Sequence, residues 1–178
     1  MSLQIQKPMN YLNFIMICFI LRLRDLFFPV KYVLKDIEIK PNSTILDFGC
    51  GPGSYSIAAA ELLDGTGNVF SIDIHPHALQ KVRKISEKKG LKNIKTIVSD
   101  CDTGLPLSSV DIVLLYYVFN DLENSDRVLQ ELYRVLKPQG ILSLSEFNVK
   151  KISSKLEKTK LFKLQKENEL THTFIKIS

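Results

Sequence analysis

Residues 44–63 read TILDFGCGPGSYSIAAAELL: an apolar run, three glycines and a proline within five positions, then a small-residue stretch of helical character. A strand that breaks into glycines and resumes as a helix is the first strand-to-helix turn of an open α/β sheet, where ligands sit outside the carboxyl ends of the strands. Gly49, Gly51 and Gly53 permit positive φ there and let a ligand approach backbone that any Cβ would block. Alone, such a loop does not discriminate among nucleotides, dinucleotides and other adenosyl ligands.

Three local details narrow the choice. The spacing is GxGxG followed by Ser54, whereas the dinucleotide fingerprint has its third glycine one position later. Pro52 removes a backbone donor that a phosphate cradle would use. Asp47 stands two residues before the first glycine, and a carboxylate beside a pyrophosphate is repelled by about 4 kcal/mol per charge pair at 4 Å and an effective dielectric of about 20. The expected ligand is therefore cationic or zwitterionic, its ammonium toward Asp47 and its carboxylate on backbone donors near the helix start.

Outward from the loop, β-rich and helical runs alternate. NVFSID, IKTIVSD, DIVLLYYV and GILSLSEF are separated by helical stretches, one with Ala78, Leu79, Val82 and Ile85 on one face and one with Val128, Leu129, Leu132, Val135 and Leu136 aligned. This alternation predicts a parallel sheet with helices on both faces, joined by right-handed crossovers. Gly90 is placed for a helix C-cap, and KPQG is read as the turn from the fourth of these helices into the fifth strand. LFKLQKE and THTFIKI, joined at Asn168 and Glu169, form a hairpin that ends the sheet antiparallel. Upstream, Val30, Val33, Leu34 and Ile37 after Pro29 make a helical stripe headed by proline.

The rest of an adenosine ligand follows from acids at the next two strand ends. Asp73 lies about 20 residues past the loop, where a carboxylate accepts ribose hydroxyls. Asp100 ends IVSD and is placed to accept from an adenine amino group, with the Cys101 backbone amide available to a ring nitrogen. Asp73 also has a plain reading as a helix cap, and Asp100 as part of a turn. His75 and His77 form an HxH with nothing else clustered beside them, so they are read as a solvated helix start and no metal is expected. Of Tyr116 and Tyr117, one must look toward the site, because successive strand residues face opposite ways.

A chain of 178 residues with ordinary composition is read as one globular unit: an apolar N-terminal segment, 1–28, acting as a cover or an oligomer contact such as a homodimer, and the main domain, 29–178. The uncharged core of that segment, Tyr11 to Leu21, falls well short of the roughly 20 residues a membrane span needs. Three cysteines without CxxC spacing point to a reducing cytoplasm. The formal charge of +5 comes mainly from lysine, with five arginines in the chain. That pattern reads first as a solvated surface and leaves nucleic acid open as a partner.

The ordered set LDFGCGPG, SID, SDCDTGLPL, DIVLLYYVFNDL and LYRVLKPQGILSLSEF resembles the class I S-adenosylmethionine-dependent methyltransferases, especially the ubiquinone and menaquinone C-methyltransferase-like branch. The resemblance runs from about Pro29 to the C-terminus. It implies a Rossmann-like seven-stranded sheet in the order 3214576 with the last strand antiparallel. It also implies S-adenosylmethionine as cofactor, with Gly49, Gly51 and Gly53 lining its methionine part, Asp73 its ribose, Asp100 and Cys101 its adenine, Ile74 the adenine face, and Tyr116 the neighbourhood of the sulfonium.

Relatives in this branch often carry histidines after the fourth strand where this chain has FND, leaving Asp121 as the candidate base or orienter. The NPPY-type motif of amide and adenine amino methyltransferases is absent. The stretch FNVKKISSKLEKTK leaves little room for an insertion, which shifts acceptor selection to residues 8 to 28. The expected activity is methyl transfer to a small apolar or aromatic acceptor. Competing readings are an RNA or protein methyltransferase, which the lysines favour, and a non-catalytic methyltransferase-like binding subunit, which the intact cofactor residues disfavour. An NAD-dependent oxidoreductase is disfavoured by Asp47 and by the lack of glycine at 54.

Overall fold

A computed structural model describes residues 10–27 and 30–177. Helices α1 (Tyr11–Phe27) and α2 (Val30–Leu34) precede an alternating series: β1 (Thr44–Phe48), α3 (Ser54–Leu62), β2 (Asn68–Asp73), α4 (Pro76–Lys89), β3 (Ile94–Val98) and β4 (Val110–Tyr116). A 3₁₀ turn (Phe119–Asp121), α5 (Ser125–Val135), β5 (Leu136–Ser145), α6 (Val149–Lys158), β6 (Phe162–Glu167) and β7 (His172–Lys176) complete it. The sheet order is β3-β2-β1-β4-β5-β7-β6, with β7 antiparallel to both neighbours. Fold class and strand order are those expected from the sequence.

The central strands are apolar on both faces because helices cover both. In β4, Val113 and Leu115 face one core with Leu129, Leu132 and Phe174, while Ile112, Leu114 and Tyr116 face the other with Val33, Leu34, Ala59 and Leu63. The two-residue period of a strand makes this division. β1 pairs in parallel with β2 on one side and β4 on the other, so the chain reverses its winding direction between β1 and β4. Their carboxyl ends diverge there and leave a crevice.

Two expectations need correction. KPQG does not separate helix from strand. Leu136 already pairs with Val110 as the first residue of β5, and the tight turn lies inside the strand, at Gln139 with φ +62 and a register shift opposite Val110/Ile112. Burial of Leu136 starts the strand before the turn. The Val30–Ile37 stripe is helical only to Leu34. Ile37 is buried from a following turn, its amide donating to the Leu34 carbonyl, and Pro29, expected to head this helix, lies outside the described residues. Among the described residues, no helix is long and apolar enough to cross a membrane.

Candidate active site

The ends of β1, β2, β3 and β4 and the inner face of α1 enclose a cavity of about 430 Å³, within the range of small-molecule sites. Gly49 and Gly51 come from the loop after β1, Asp73 and Ile74 from the end of β2, Ser99 and Asp100 from the turn after β3, and Val118 and Asp121 from beyond β4. Phe14, Ile17, Cys18 and Leu21 of α1 close it from above. A larger depression of about 630 Å³ lies where β1, β4 and β5 begin, among Lys40, Asp111 and Lys137. It is remote from the glycine loop and is not the site.

The loop is held by its own backbone and by Asp73. Gly49 and Cys50 donate to the Ile72 carbonyl, both at 2.9 Å. The Asp73 carboxylate accepts from the Gly51 amide and the His75 amide, each at 2.8 Å. Burial pushes its pKa up, and the amides it accepts from oppose that shift. Asp73 thus splices the first glycine turn to the start of α4, which is more than a helix cap does.

The three glycines have different tasks. Gly49 has φ +75, and a Cβ there would lie 2.3 Å from Val118 Cγ2. Gly53 has φ +91 as the residue before α3, and a Cβ would lie 2.6 Å from Val82 Cγ2 of α4; it serves helix packing and does not face the large cavity. Gly51, φ +52, has only Leu21 Cδ1 of α1 near its Cβ direction, at 3.8 Å, so its missing side chain leaves space for a ligand. Gly49→Ala is expected to cost about 1–3 kcal/mol of stability through overpacking. Gly51→Ala should cost only about 1 kcal/mol from its backbone conformation, while its methyl occupies the ligand's space. Urea unfolding beside cofactor titration separates the two effects.

Asp47 lies beneath the loop, 2% exposed, in a second cavity of about 50 Å³ shared with Gly49, Gly51, Arg24 and Tyr116. It accepts from Ser56 Oγ at 2.5 Å, and Ser71 Oγ donates on to Ser56. Burial above all raises its pKa to about 7, and the charge of Asp73 adds to the shift. A buried carboxylate held near neutrality stabilises a cation delivered next to it.

The structure brings Gly49, Gly51, Asp73, Ile74, Asp100 and Asp121 around one space. Three expected contributors do not line it. Tyr116 lines the smaller cavity beneath the loop with Asp47, Gly49 and Gly51, edge-on to Tyr55 at 4.6 Å with its hydroxyl 2.7 Å from Ser143. It is Tyr117, at φ +55 with its amide on the Ser145 carbonyl, that lines the large cavity. The Cys101 side chain is in the core, where burial pushes its thiol up to about 11, and its amide donates to Ser99 Oγ at 3.2 Å. Gly53 is the third. His75 corrects the solvated-helix reading: it is buried, stacked on Phe14 of α1 at 5.2 Å. His77 is exposed, with Tyr11 edge-on at 5.0 Å. Among the described residues, no cluster of His, Cys, Asp and Glu is placed to hold a metal.

Two further features of the site escape sequence reasoning. Arg24 lies over the rings of Tyr117 and Tyr55, at 4.7 and 5.5 Å, and pairs with Asp25 at 2.7 Å. Asp25 in turn takes the Ser54 hydroxyl at the start of α3, which fixes the end of α1 to the glycine loop. Glu146, at the end of β5, accepts from the Phe119 amide at 2.8 Å and Asn120 Nδ2 at 3.1 Å. It thereby sets the 3₁₀ turn that carries Asp121 to the rim. Its only sequence signal is an acid directly after SLS.

Comparison with known proteins agrees with this geometry. A family model described as a methyltransferase domain matches residues 39–176. The chain is 38% identical over 95 residues to aklanonic acid methyltransferase DauC of Streptomyces sp. (strain C5), covering 52% of this chain and 43% of that protein. It is 33% identical over 119 residues to the demethylmenaquinone methyltransferase of Lactobacillus johnsonii, covering 65% and 48%. It spans about half the length of the curated relatives it matches. Among solved structures, a SAM-dependent methyltransferase from Aquifex aeolicus superposes with a TM-score of 0.77 at 23% identity over 87% of this chain and 93% of that one.

Proposed function

Because the chain belongs to the class I S-adenosylmethionine-dependent methyltransferase family, we propose that it transfers a methyl group from S-adenosylmethionine to a small apolar acceptor bound under α1. The observation that carries this reading is the lining of the main cavity. Asp73, Asp100 and the glycine loop line one part, and Phe14, Ile17, Leu21, Val118 and Leu122 supply an apolar roof and wall. The first suits a polar nucleoside, the second an apolar partner molecule. The names of the two curated relatives, for aklanonic acid and demethylmenaquinone, support a small-molecule acceptor.

The residues present fit the cofactor. Gly51 leaves room where a Cβ would project. Asp47 is a buried carboxyl in need of a cation, which the ammonium of the cofactor supplies. Asp73 and Asp100 line the cavity where the ribose and adenine are proposed to lie, with Ile74 beside them. When bound, the sulfonium supplies an already activated methyl group. The chain's own work is then to hold the acceptor in line and exclude water, worth about 7–11 kcal/mol in favourable cases. Phe14, Ile17 and Leu21 exclude water from above. Asp121, on the rim, takes or orients a proton if the acceptor loses one. The buried, free cysteines support a reducing, cytoplasmic setting, and α1, the described part of the segment 1–28, is read as a cover of the domain that follows.

Calorimetric titration with S-adenosylhomocysteine and NAD tests the first half: the sulfur ligand binds and NAD does not. Binding of NAD alone overturns the reading. For the second half, Ile17→Lys is expected to raise KM for an apolar phenolic acceptor by about tenfold or more, from the apolar burial it removes. Affinity for S-adenosylhomocysteine should change little. Unchanged KM would move the acceptor away from α1.

A further inference from the structure

The outer face of α1 bears large apolar side chains that cover nothing. Leu12, Met16, Phe19, Leu23 and Leu26 recur every three or four residues along it, and Leu12 is 79% and Leu26 74% exposed. Only Phe14 and Cys18 of this helix are buried. Monomeric proteins seldom leave so continuous an apolar strip in water. Phe147 is 92% exposed, and its ring packs on Tyr117, which in turn lies under Arg24.

The charges around the strip are mainly positive. Among described residues 10–40, the exposed charged side chains are Arg22, Lys31, Lys35 and Lys40 and one acid, Glu38, which lies 3.7 Å from Lys40. The other two acids of this stretch are engaged: Asp25 by Arg24 and Ser54, and Asp36 by the Thr171 hydroxyl at 2.8 Å. Lys31 has Glu61 at 3.5 Å, which Lys89 holds more closely at 2.7 Å.

We propose that the outer face of α1 is a docking surface for an anionic lipid bilayer, with its apolar side chains entering the interface and Arg22 and Lys35 meeting the headgroups. A second copy of the chain is the poorer occupant. A two-fold interface sets a patch against itself, so an apolar strip rimmed mainly by cations would bring like charges together on a chain of net charge +5. An anionic membrane complements both features, and apolar burial adds to the attraction of each cation near the surface. The helix lies on the bilayer, being too short to cross it. If the acceptor is apolar as proposed above, the same face lets it enter from lipid; that clause rests on the proposed function, and the surface does not.

The test is co-sedimentation of the full chain with phosphatidylcholine vesicles, with and without phosphatidylglycerol, alongside light scattering for mass in solution. Binding is expected only to the anionic vesicles, falling as salt is raised. Arg22→Ser should weaken it about fivefold. Leu23→Glu with Leu26→Glu should abolish it, while affinity for S-adenosylhomocysteine stays unchanged and certifies the fold. Equal binding to both vesicle types, no binding, or retained binding in the double variant would each overturn the proposal. So would a wild-type dimer that the double variant converts to monomer, which would assign this face to a second copy.

Discussion

Replacing Asp73 with alanine is expected to weaken S-adenosylhomocysteine binding by at least about a hundredfold, the largest single effect in the site. The carboxylate holds two backbone amides at 2.8 Å, and hydrogen bonds to a charged group are each worth about 1.5–3 kcal/mol. Losing it frees Gly51 from the start of α4 and removes the ribose partner. Asp73→Asn keeps one oxygen that can accept, so it should lie between wild type and alanine. Calorimetry measures the affinity, and urea unfolding shows how much of the loss is stability. Near-wild-type affinity in Asp73→Ala would mean that the nucleoside lies elsewhere.

Acidification is expected to weaken binding of the same ligand by about tenfold for each pH unit below 7. Burial raises Asp47 from 3.8 to about 7, so below that pH the ligand-free carboxyl is neutral. A bound ammonium beside it requires the ionised form, and binding must then expel a proton. The ligand-free protein should show the opposite trend. A raised carboxyl pKa contributes stability that is complete below the unfolded value and is lost as pH rises through the folded one. Asp47→Asn should flatten both profiles, and methylthioadenosine, which lacks the ammonium, should bind wild type without the slope. The charged and titratable groups nearby are Asp73, also raised by burial, Cys50, whose thiol burial holds far above its usual range, the phenols of Tyr55 and Tyr116, likewise raised by burial, and Arg24. A flat wild-type profile would show that the ammonium does not rest on Asp47.

The sheet was legible because its signals are local and repeated: an apolar strand, a glycine turn, an amphipathic helix, in series. Asp73 and Asp100 were legible for the same reason, since an acid at a strand end needs only the strand to be placed. Tyr117 was not, because its exposure to the cavity depends on a left-handed backbone just past β4, which strand alternation cannot foresee. Nor were Arg24, which lies over the rings of the distant Tyr55 and Tyr117, and Glu146, whose partners lie 27 and 26 positions back in the chain. His75 looked solvated because nothing near it in sequence reveals that Phe14 lies on top of it.

The roof over the glycine loop also sets a sequence of events in time. With Leu21 of α1 standing 3.8 Å from the Gly51 Cβ position, and Arg24 and Asp25 tying the helix to Ser54, α1 narrows the way to the loop. Binding at the loop would then be eased as α1 lifts, on the microsecond-to-millisecond scale of such lids. Release of a bound ligand would then be slowed by a 17-residue helix of which two side chains are buried.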